Sequence, residues 1–102
     1  MTSNIELRVS PEAERNIDDI LQYTLKTWGN GQAMTYYTLL WNAFRRVQAF
    51  PEIGRRATEN RPEVRELVLE YHTIVYRYRD NTVTILRIVN PRRGRRWSTT
   101  RE

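Results

Sequence analysis

The chain has no cysteine and only one histidine, His72, among its 102 residues. Disulfides therefore cannot stabilise it, no thiolate can act as a nucleophile, and a zinc site built from cysteine and histidine is excluded. No stretch reaches the roughly 18 apolar residues that a membrane span needs, and no signal-peptide pattern is present. We therefore expect a soluble cytoplasmic protein that uses no metal ion or cofactor and has no membrane partner.

Lysine is also scarce, since Lys26 is the only one and the other sixteen cations are arginines. The net charge of +5 arises entirely in the second half, because residues 1–50 carry equal numbers of basic and acidic side chains. Arginine binds carboxylate and phosphate through a planar fork. The basic half therefore indicates an acidic protein or a nucleic acid as partner. A genome rich in G and C would explain the arginine-to-lysine ratio but not the clustering.

Hydrophobic periodicity predicts the element order β-α-α-β-β-β in a single domain over residues 1–102. Ser10 and Pro11 are typical of a helix start, Gly29 of a helix end, and Asn30 of a second cap. Asp80-Asn81 is typical of a tight turn between two strands. The predicted strands cover residues 5–9, 64–69, 73–79 and 82–89, the predicted helices 11–28 and 31–49, and residues 51–63 are predicted to form a loop.

These elements predict an α+β fold. The short link between the amphipathic helices implies an antiparallel helical hairpin, which we expect to pack on one face of a small twisted, mostly antiparallel sheet. The last strand is almost entirely apolar, which favours a central position in the sheet, beside the first strand.

Residues 90–102 form a basic C-terminal tail that begins with Asn90-Pro91, a pair that ends the last strand. Four arginines and an indole fall within six positions of this tail: Arg92, Arg93, Arg95, Arg96 and Trp97. One interpretation is a recognition arm in which the indole anchors and the arginines contact an acidic surface. The alternative is a solvated terminus.

Two further groups are candidate sites. Arg77 and Arg79 share one face of their strand and, with Arg65 and Arg87, form either a basic sheet face or a solvent-facing side balanced by acidic neighbours. His72, next to Tyr71, is either a general acid–base group or a hydrogen-bonded structural residue.

The layout resembles the RelE/ParE superfamily of bacterial toxins from type II toxin–antitoxin systems, and is most similar to the ParE branch. The similarity lies in the order and spacing of short stretches, which together cover most of the chain. The matching stretches are residues 7–15, 17–20, 28–29, 36–37, 50–55, 64–67, 74–77, 85–89 and 92–93, with Tyr23, Phe44 and His72.

The resemblance implies a toxin that inhibits DNA gyrase by protein binding, without chemistry of its own. Residues 92–97 would then contact the target, and direct binding to nucleic acid is not expected outside the gyrase complex. The alternative is a ribosome-dependent mRNA endonuclease without a metal, as in RelE-like members, with His72, Arg77 and Arg93 at the phosphate. The resemblance supports the first activity better, because Thr73 and Thr99 stand where RelE-like enzymes carry a catalytic arginine and tyrosine.

The same resemblance implies a hetero-oligomer with a cognate ParD-like antitoxin. An antitoxin of this kind has a C-terminal segment that wraps the toxin, and its amphipathic helix would lie on the helical hairpin. Tyr36, Tyr37 and Trp41 on the second helix are the expected anchors.

Overall fold

The structure, a computed structural model, describes residues 4–90 and confirms the predicted α+β fold. A helical hairpin of α1 (Pro11–Trp28) and α2 (Asn30–Ala49) packs on a five-stranded sheet. The strands are β1 (Glu6–Val9), β2 (Arg55–Arg56), β3 (Val64–Val68), β4 (Thr73–Arg79) and β5 (Thr82–Val89). The arginines and tryptophan of the predicted tail, residues 92–97, lie outside the described residues.

The sheet has the strand order β1-β5-β4-β3-β2. β1 pairs with β5 in parallel and every other pair is antiparallel, which confirms that the last strand lies beside the first. β5 is an inner strand, but β4 occupies the middle of the sheet. The prediction of a continuous loop over residues 51–63 is wrong at one point, since Arg55 and Arg56 form β2 against β3. A two-residue edge strand is too short to produce a periodicity.

The connection between the two helices is a single residue, Gly29, whose φ of +96° is accessible to glycine at little cost. The prediction that Asn30 caps α2 is wrong, because Asn30 is already helical and Gly29 occupies the cap position without a side-chain hydrogen bond. The predicted turn at Asp80 and Asn81 is present, with φ values of 54° and 59°. Both central residues have positive φ, as a type I′ hairpin turn requires.

A single hydrophobic core lies between the hairpin and one face of the sheet. β4 and the first half of β5 contribute alternate residues, as expected for strands with one buried face. A register shift between Val75 and Tyr76 interrupts the alternation in β5 and brings Ile88 into the core after Ile85. The buried core side chains are Ala13, Ile17, Tyr36, Leu40, Ala43, Phe44, Val47, Ile74, Tyr76, Val83, Ile85 and Ile88. Among residues 4–90, no helix is long and apolar enough to cross a membrane.

The loop after α2 is tied to the sheet through Tyr76. Its hydroxyl donates to the carbonyl oxygen of Pro51 at 2.7 Å and accepts from the backbone N–H of Gly54 at 2.9 Å. Arg65 donates to the carbonyl oxygen of Gly54 at 2.7 Å. The placement of Arg65 in a basic face with Arg77 and Arg79 is therefore wrong. Arg65 lies opposite Tyr76 in the register and points, like Tyr76, to the helix side of the sheet.

α1 completes the edge of β5 where β1 ends. The Ser10 side chain accepts from the N–H of Ala13 at 3.0 Å, as predicted for a helix cap, and donates to the carbonyl oxygen of Leu86 at 2.8 Å. The side-chain oxygen of Asn16 accepts from the N–H of Ile88 at 2.9 Å. The two side chains thus occupy positions that a longer β1 would have filled.

Asn16→Ala is expected to destabilise the fold by about 1–3 kcal/mol, because the N–H of buried Ile88 loses its acceptor. Asn16→Asp is the matched control, since it keeps an acceptor oxygen at the same position. Urea unfolding followed by circular dichroism measures both variants. A stability of Asn16→Ala equal to that of the unmodified chain would contradict this prediction.

Candidate functional site

The sheet face opposite the helices, here called the open face, is rich in arginine. The strand register places Arg77 opposite Thr84, and Arg8 on the other side of Thr84, all pointing away from the buried core. Among the described strand residues, seven charged side chains lie on the open face: Glu6, Arg8, Arg55, Glu66, Arg77, Arg79 and Arg87. Five of the seven are positive, so the face carries an excess of positive charge.

Most of these arginines have an acidic neighbour at the rim. Arg55 pairs with Glu66 at 3.0 Å and Arg8 with Glu6 at 3.2 Å. The guanidinium groups of Arg79 and Arg87 are each 3.9 Å from a carboxylate, that of Asp80 and of Glu12 respectively. Exposed pairs of this kind stabilise a fold by only about 0–1 kcal/mol, so these arginines can exchange their partners readily.

Arg77 differs from the other arginines of the open face. Within residues 4–90 its side chain makes no ion pair or hydrogen bond, and neither does the hydroxyl of its cross-strand neighbour Thr84. Arg8 lies in the same cross-strand row, about 10 Å from Arg77 at two strand spacings. The centre of the open face therefore offers a cation and a hydroxyl that no described group satisfies.

The helix side holds a different polar pair. Tyr36 of α2 and His72, which precedes β4, lie 2.6 Å apart between the tyrosine oxygen and Nδ1 of the histidine. Burial, followed by the negative charge of Glu70 and the neighbouring Tyr71, raises the pKa of Tyr36 to about 12. Burial lowers the pKa of His72. Both groups are therefore neutral at pH 7, and we assign the tyrosine O–H as donor and Nδ1 as acceptor.

This pair predicts a pH dependence of stability with a definite sign. Because the pKa of His72 is lowered by folding, the unfolded chain binds a proton that the folded chain does not. The free energy of unfolding is thus expected to fall as the pH decreases below about 6.5, by at most about 1.4 kcal/mol per pH unit, until the folded-state pKa is reached.

Thermal unfolding between pH 7.5 and about 5.5 measures this dependence, in a range where carboxylates contribute little. His72 is the only histidine in the chain, so His72→Gln should remove most of the slope. A variant with the same slope as the unmodified chain would show that another group is responsible.

The structure does not bring His72 and Arg77 together. His72 contacts α2 on the helix side, whereas Arg77 points to the open face. Arg93, the third residue of the alternative catalytic set, lies outside the described residues. Within residues 4–90, no group of three or more histidine, cysteine, aspartate or glutamate side chains is arranged to hold a metal ion.

The three expected antitoxin anchors do not share one surface. Tyr36 is buried, with 8% of its surface exposed, whereas Tyr37 is 40% exposed. Trp41 is half-buried, lies 6.4 Å from the Tyr37 ring and packs edge-on against Phe44 at 5.0 Å between ring centres. The indole N–H of Trp41 is buried and has no hydrogen-bond partner among the described residues. Tyr37 and Trp41 thus form one aromatic pair, separate from Tyr36.

A shallow groove of about 410 Å³ runs between α2 and the turn that joins β3 to β4. Leu39, Ala43 and Leu69 supply its apolar wall, and Arg46 and Glu70 its charged rim. On a helix with 3.6 residues per turn, the groove side of α2 lies away from Tyr37 and Trp41. The hairpin therefore presents two different surfaces.

Sequence reasoning missed three residues of the open face: Arg8, Arg55 and Thr84. Each was visible as a polar position in a strand or loop, but its place beside Arg77 depends on which strands pair. The register of β1 against β5, 76 residues apart, is what brings Arg8 into the same row as Arg77.

Known proteins are similar to this chain in sequence and in fold. Toxin ParE1 of Mycobacterium tuberculosis, from strains CDC 1551 and H37Rv, is 35% identical over 85 residues, which cover 82% of this chain and 87% of that protein. The structure of the chromosomal ParDE system of P. aeruginosa has a chain that matches with a TM-score of 0.73 and 24% identity, covering 84% of this chain and 95% of that one.

The toxin–antitoxin complex RelBE2 from Mycobacterium tuberculosis also contains a chain of this fold, with a TM-score of 0.61, 18% identity and coverage of 84% and 96%. The family model described as ParE toxin of type II toxin–antitoxin system, parDE, matches residues 7–95, which include both helices and all described strands apart from Glu6, the first residue of β1. The chain therefore belongs to the ParE family of toxins from type II toxin–antitoxin systems.

Proposed function

We propose that this ParE-family toxin acts by binding and inhibiting DNA gyrase and is neutralised by a cognate ParD-like antitoxin. The observation that carries the proposal is the family match over residues 7–95. The open face supports it, because an excess of arginine suits a target surface of acidic side chains or phosphates.

The proposed contacts with gyrase are the arginines and the indole of the tail, Arg92, Arg93, Arg95, Arg96 and Trp97. Arginine forks bind carboxylates in a bidentate manner, and a tryptophan supplies a large apolar anchor. Positive charge also accelerates the approach to an acidic partner. This activity needs binding alone, with no bond made or broken by the toxin.

The placement of His72 supports inhibition by binding over mRNA cleavage. A ribonuclease needs a base that reaches the 2′-hydroxyl and a cation at the phosphate of the same nucleotide. His72 already accepts a hydrogen bond from Tyr36 and lies on the opposite side of the sheet from Arg77.

A supercoiling assay with purified gyrase and relaxed plasmid tests the proposed activity. We expect the free toxin to block supercoiling and an excess of antitoxin to restore it. Primer extension on translated mRNA, run in parallel, should yield no cuts at codon positions. Full supercoiling at saturating toxin, or toxin-dependent mRNA cuts, would overturn the gyrase proposal.

We place the antitoxin helix over the aromatic pair of Tyr37 and Trp41. The two rings are adjacent on α2, and a partner carbonyl would give the indole N–H an acceptor after a small shift of the side chain. Tyr36, buried against His72, would act only by holding α2 in place.

Tyr37→Ala is expected to weaken the complex with antitoxin at least about fivefold, because a residue that anchors an interface contributes more than about 1 kcal/mol. Isothermal titration calorimetry with purified antitoxin measures the affinity. Tyr71→Ala, which removes a ring that is 61% exposed in the turn between β3 and β4, is the matched control. Equal affinities for the two variants would place the antitoxin elsewhere.

A further inference from the structure

We propose that the open face binds the phosphate backbone of duplex DNA, with Arg77, Thr84 and Arg8 as its central contacts. The contact goes beyond gyrase inhibition and is measurable on the toxin alone. It also amends the expectation that the toxin has no direct affinity for nucleic acid.

The first argument is the unsatisfied chemistry at the centre of the face. The Arg77 guanidinium and the Thr84 hydroxyl are cross-strand neighbours, and neither is bonded within residues 4–90. Arginine and threonine are among the side chains that contact phosphate oxygens in protein–DNA complexes. Arg8, about 10 Å away in the same row, has only an exposed pair with Glu6 to exchange.

The second argument concerns the partner class. A protein partner usually docks around a buried aromatic or apolar anchor. The aromatic residues of β4, Tyr76 and Tyr78, alternate with Arg77 and so belong to the helix side of the sheet. Protein surfaces that contact DNA are typically more polar and much more positively charged than those that contact proteins.

The third argument separates duplex from single-stranded nucleic acid. Single strands are held largely by bases that stack on aromatic side chains. None of the strand residues described on the open face is aromatic, since this face of β4 and β5 carries valine, threonine and arginine. The surface therefore offers contacts to the backbone but no stacking platform, which favours an intact duplex.

The expected binding is weak and strongly dependent on salt. Non-specific contacts to phosphates typically give dissociation constants of about 10⁻⁴–10⁻⁶ M at physiological salt, and each neutralised phosphate contributes about 0.9 to the slope of log K against log salt. In a complex that already holds DNA, such contacts would add to those made by the tail.

The test is fluorescence anisotropy of a labelled blunt duplex titrated with the full-length toxin at several salt concentrations. The double variant Arg8→Gln with Arg77→Gln should bind more weakly and lose about 1.8 from the slope. The matched control is Arg45→Gln with Arg46→Gln, which removes the same charge from exposed positions of α2. We expect this control to keep the slope of the unmodified toxin.

Three results would overturn the proposal. The first is no duplex binding at low salt, and the second is an equal loss of slope in both double variants. The third is a polyglutamate peptide that binds the toxin more tightly than the duplex does and that needs Arg8 and Arg77 for this binding. The assay contains no gyrase, so its failure is distinguishable from a failure of the supercoiling assay. Circular dichroism melting of each variant confirms that it is folded.

Discussion

Gly54→Ala is expected to lower the free energy of unfolding by about 2–4 kcal/mol, the sum of an overpacking cost and a disturbed buried hydrogen bond. A Cβ atom at this position would lie 2.6 Å from the backbone oxygen of Glu66 and 2.7 Å from the hydroxyl of Tyr76. The backbone oxygen belongs to β3 and cannot move without disturbing its pairing with β4. The melting temperature should fall by roughly 10–25 °C.

Gly31→Ala is the matched control for this substitution. Gly31 lies in α2, and a Cβ atom there would meet no other atom within 4 Å. Alanine is a better helix former than glycine, so this variant should gain about 0.5–1 kcal/mol. Differential scanning calorimetry should show a lower melting temperature for Gly54→Ala and a higher one for Gly31→Ala, because only Gly54 lies in a close approach. A Gly54→Ala variant as stable as the unmodified chain would contradict it.

Tyr76→Phe isolates the hydroxyl from the added methyl group. Removing the hydroxyl leaves the carbonyl of Pro51 and the N–H of Gly54 without a partner, but it also relieves one of the three close contacts in Gly54→Ala. The double variant Gly54→Ala with Tyr76→Phe should therefore lose less free energy of unfolding than the two single variants lose in sum. Additive losses would mean that the two residues act independently.

Truncation after Pro91 is expected to weaken gyrase inhibition by at least about 30-fold, the effect of losing a single anchor worth 2 kcal/mol. The truncated chain retains every described helix and strand, so it should keep its melting temperature. Its concentration for half-inhibition of supercoiling is the measurement. A truncated toxin with full potency would move the gyrase contact to the open face or to the hairpin.

Trp97→Ala and the joint replacement of Arg95 and Arg96 by Gln divide the effect of the truncation. If the indole is the anchor, Trp97→Ala alone should account for most of the loss at any salt concentration. If the arginines dominate, their replacement should have an effect that shrinks as salt rises. Equal antitoxin binding by all tail variants would show that the two partners use different surfaces.

Local signals predicted the elements well because each depends on neighbours in the chain. Ser10 and Pro11 mark the start of α1, and the Asp80-Asn81 turn joins β4 to β5, as their residue types require. The inner position of β5 followed from its apolar composition. The strand β2 and the cap of α2 were missed, because pairing with β3 and the conformation of Gly29 decide them.

The candidate sites were less predictable, because they depend on contacts between distant residues. In the sequence, Arg65 is a strand arginine like Arg77, but its guanidinium donates to the carbonyl oxygen of Gly54 on the helix side of the sheet. His72 was identified as either catalytic or structural, and only its contact with Tyr36 places it on the helix side. No local pattern distinguishes these outcomes.

The parallel pairing of β1 with β5 has a consequence for the timing of synthesis. Glu6 is made 76 residues before its partner Thr82. At about 5–20 residues per second, β1 waits roughly 4–15 s for the strand with which it pairs. During that interval the hairpin can form but the sheet cannot close. The sheet of a nascent toxin therefore remains incomplete until β5 has been synthesised, which gives a partner already in the cell an opportunity to meet the toxin as it folds.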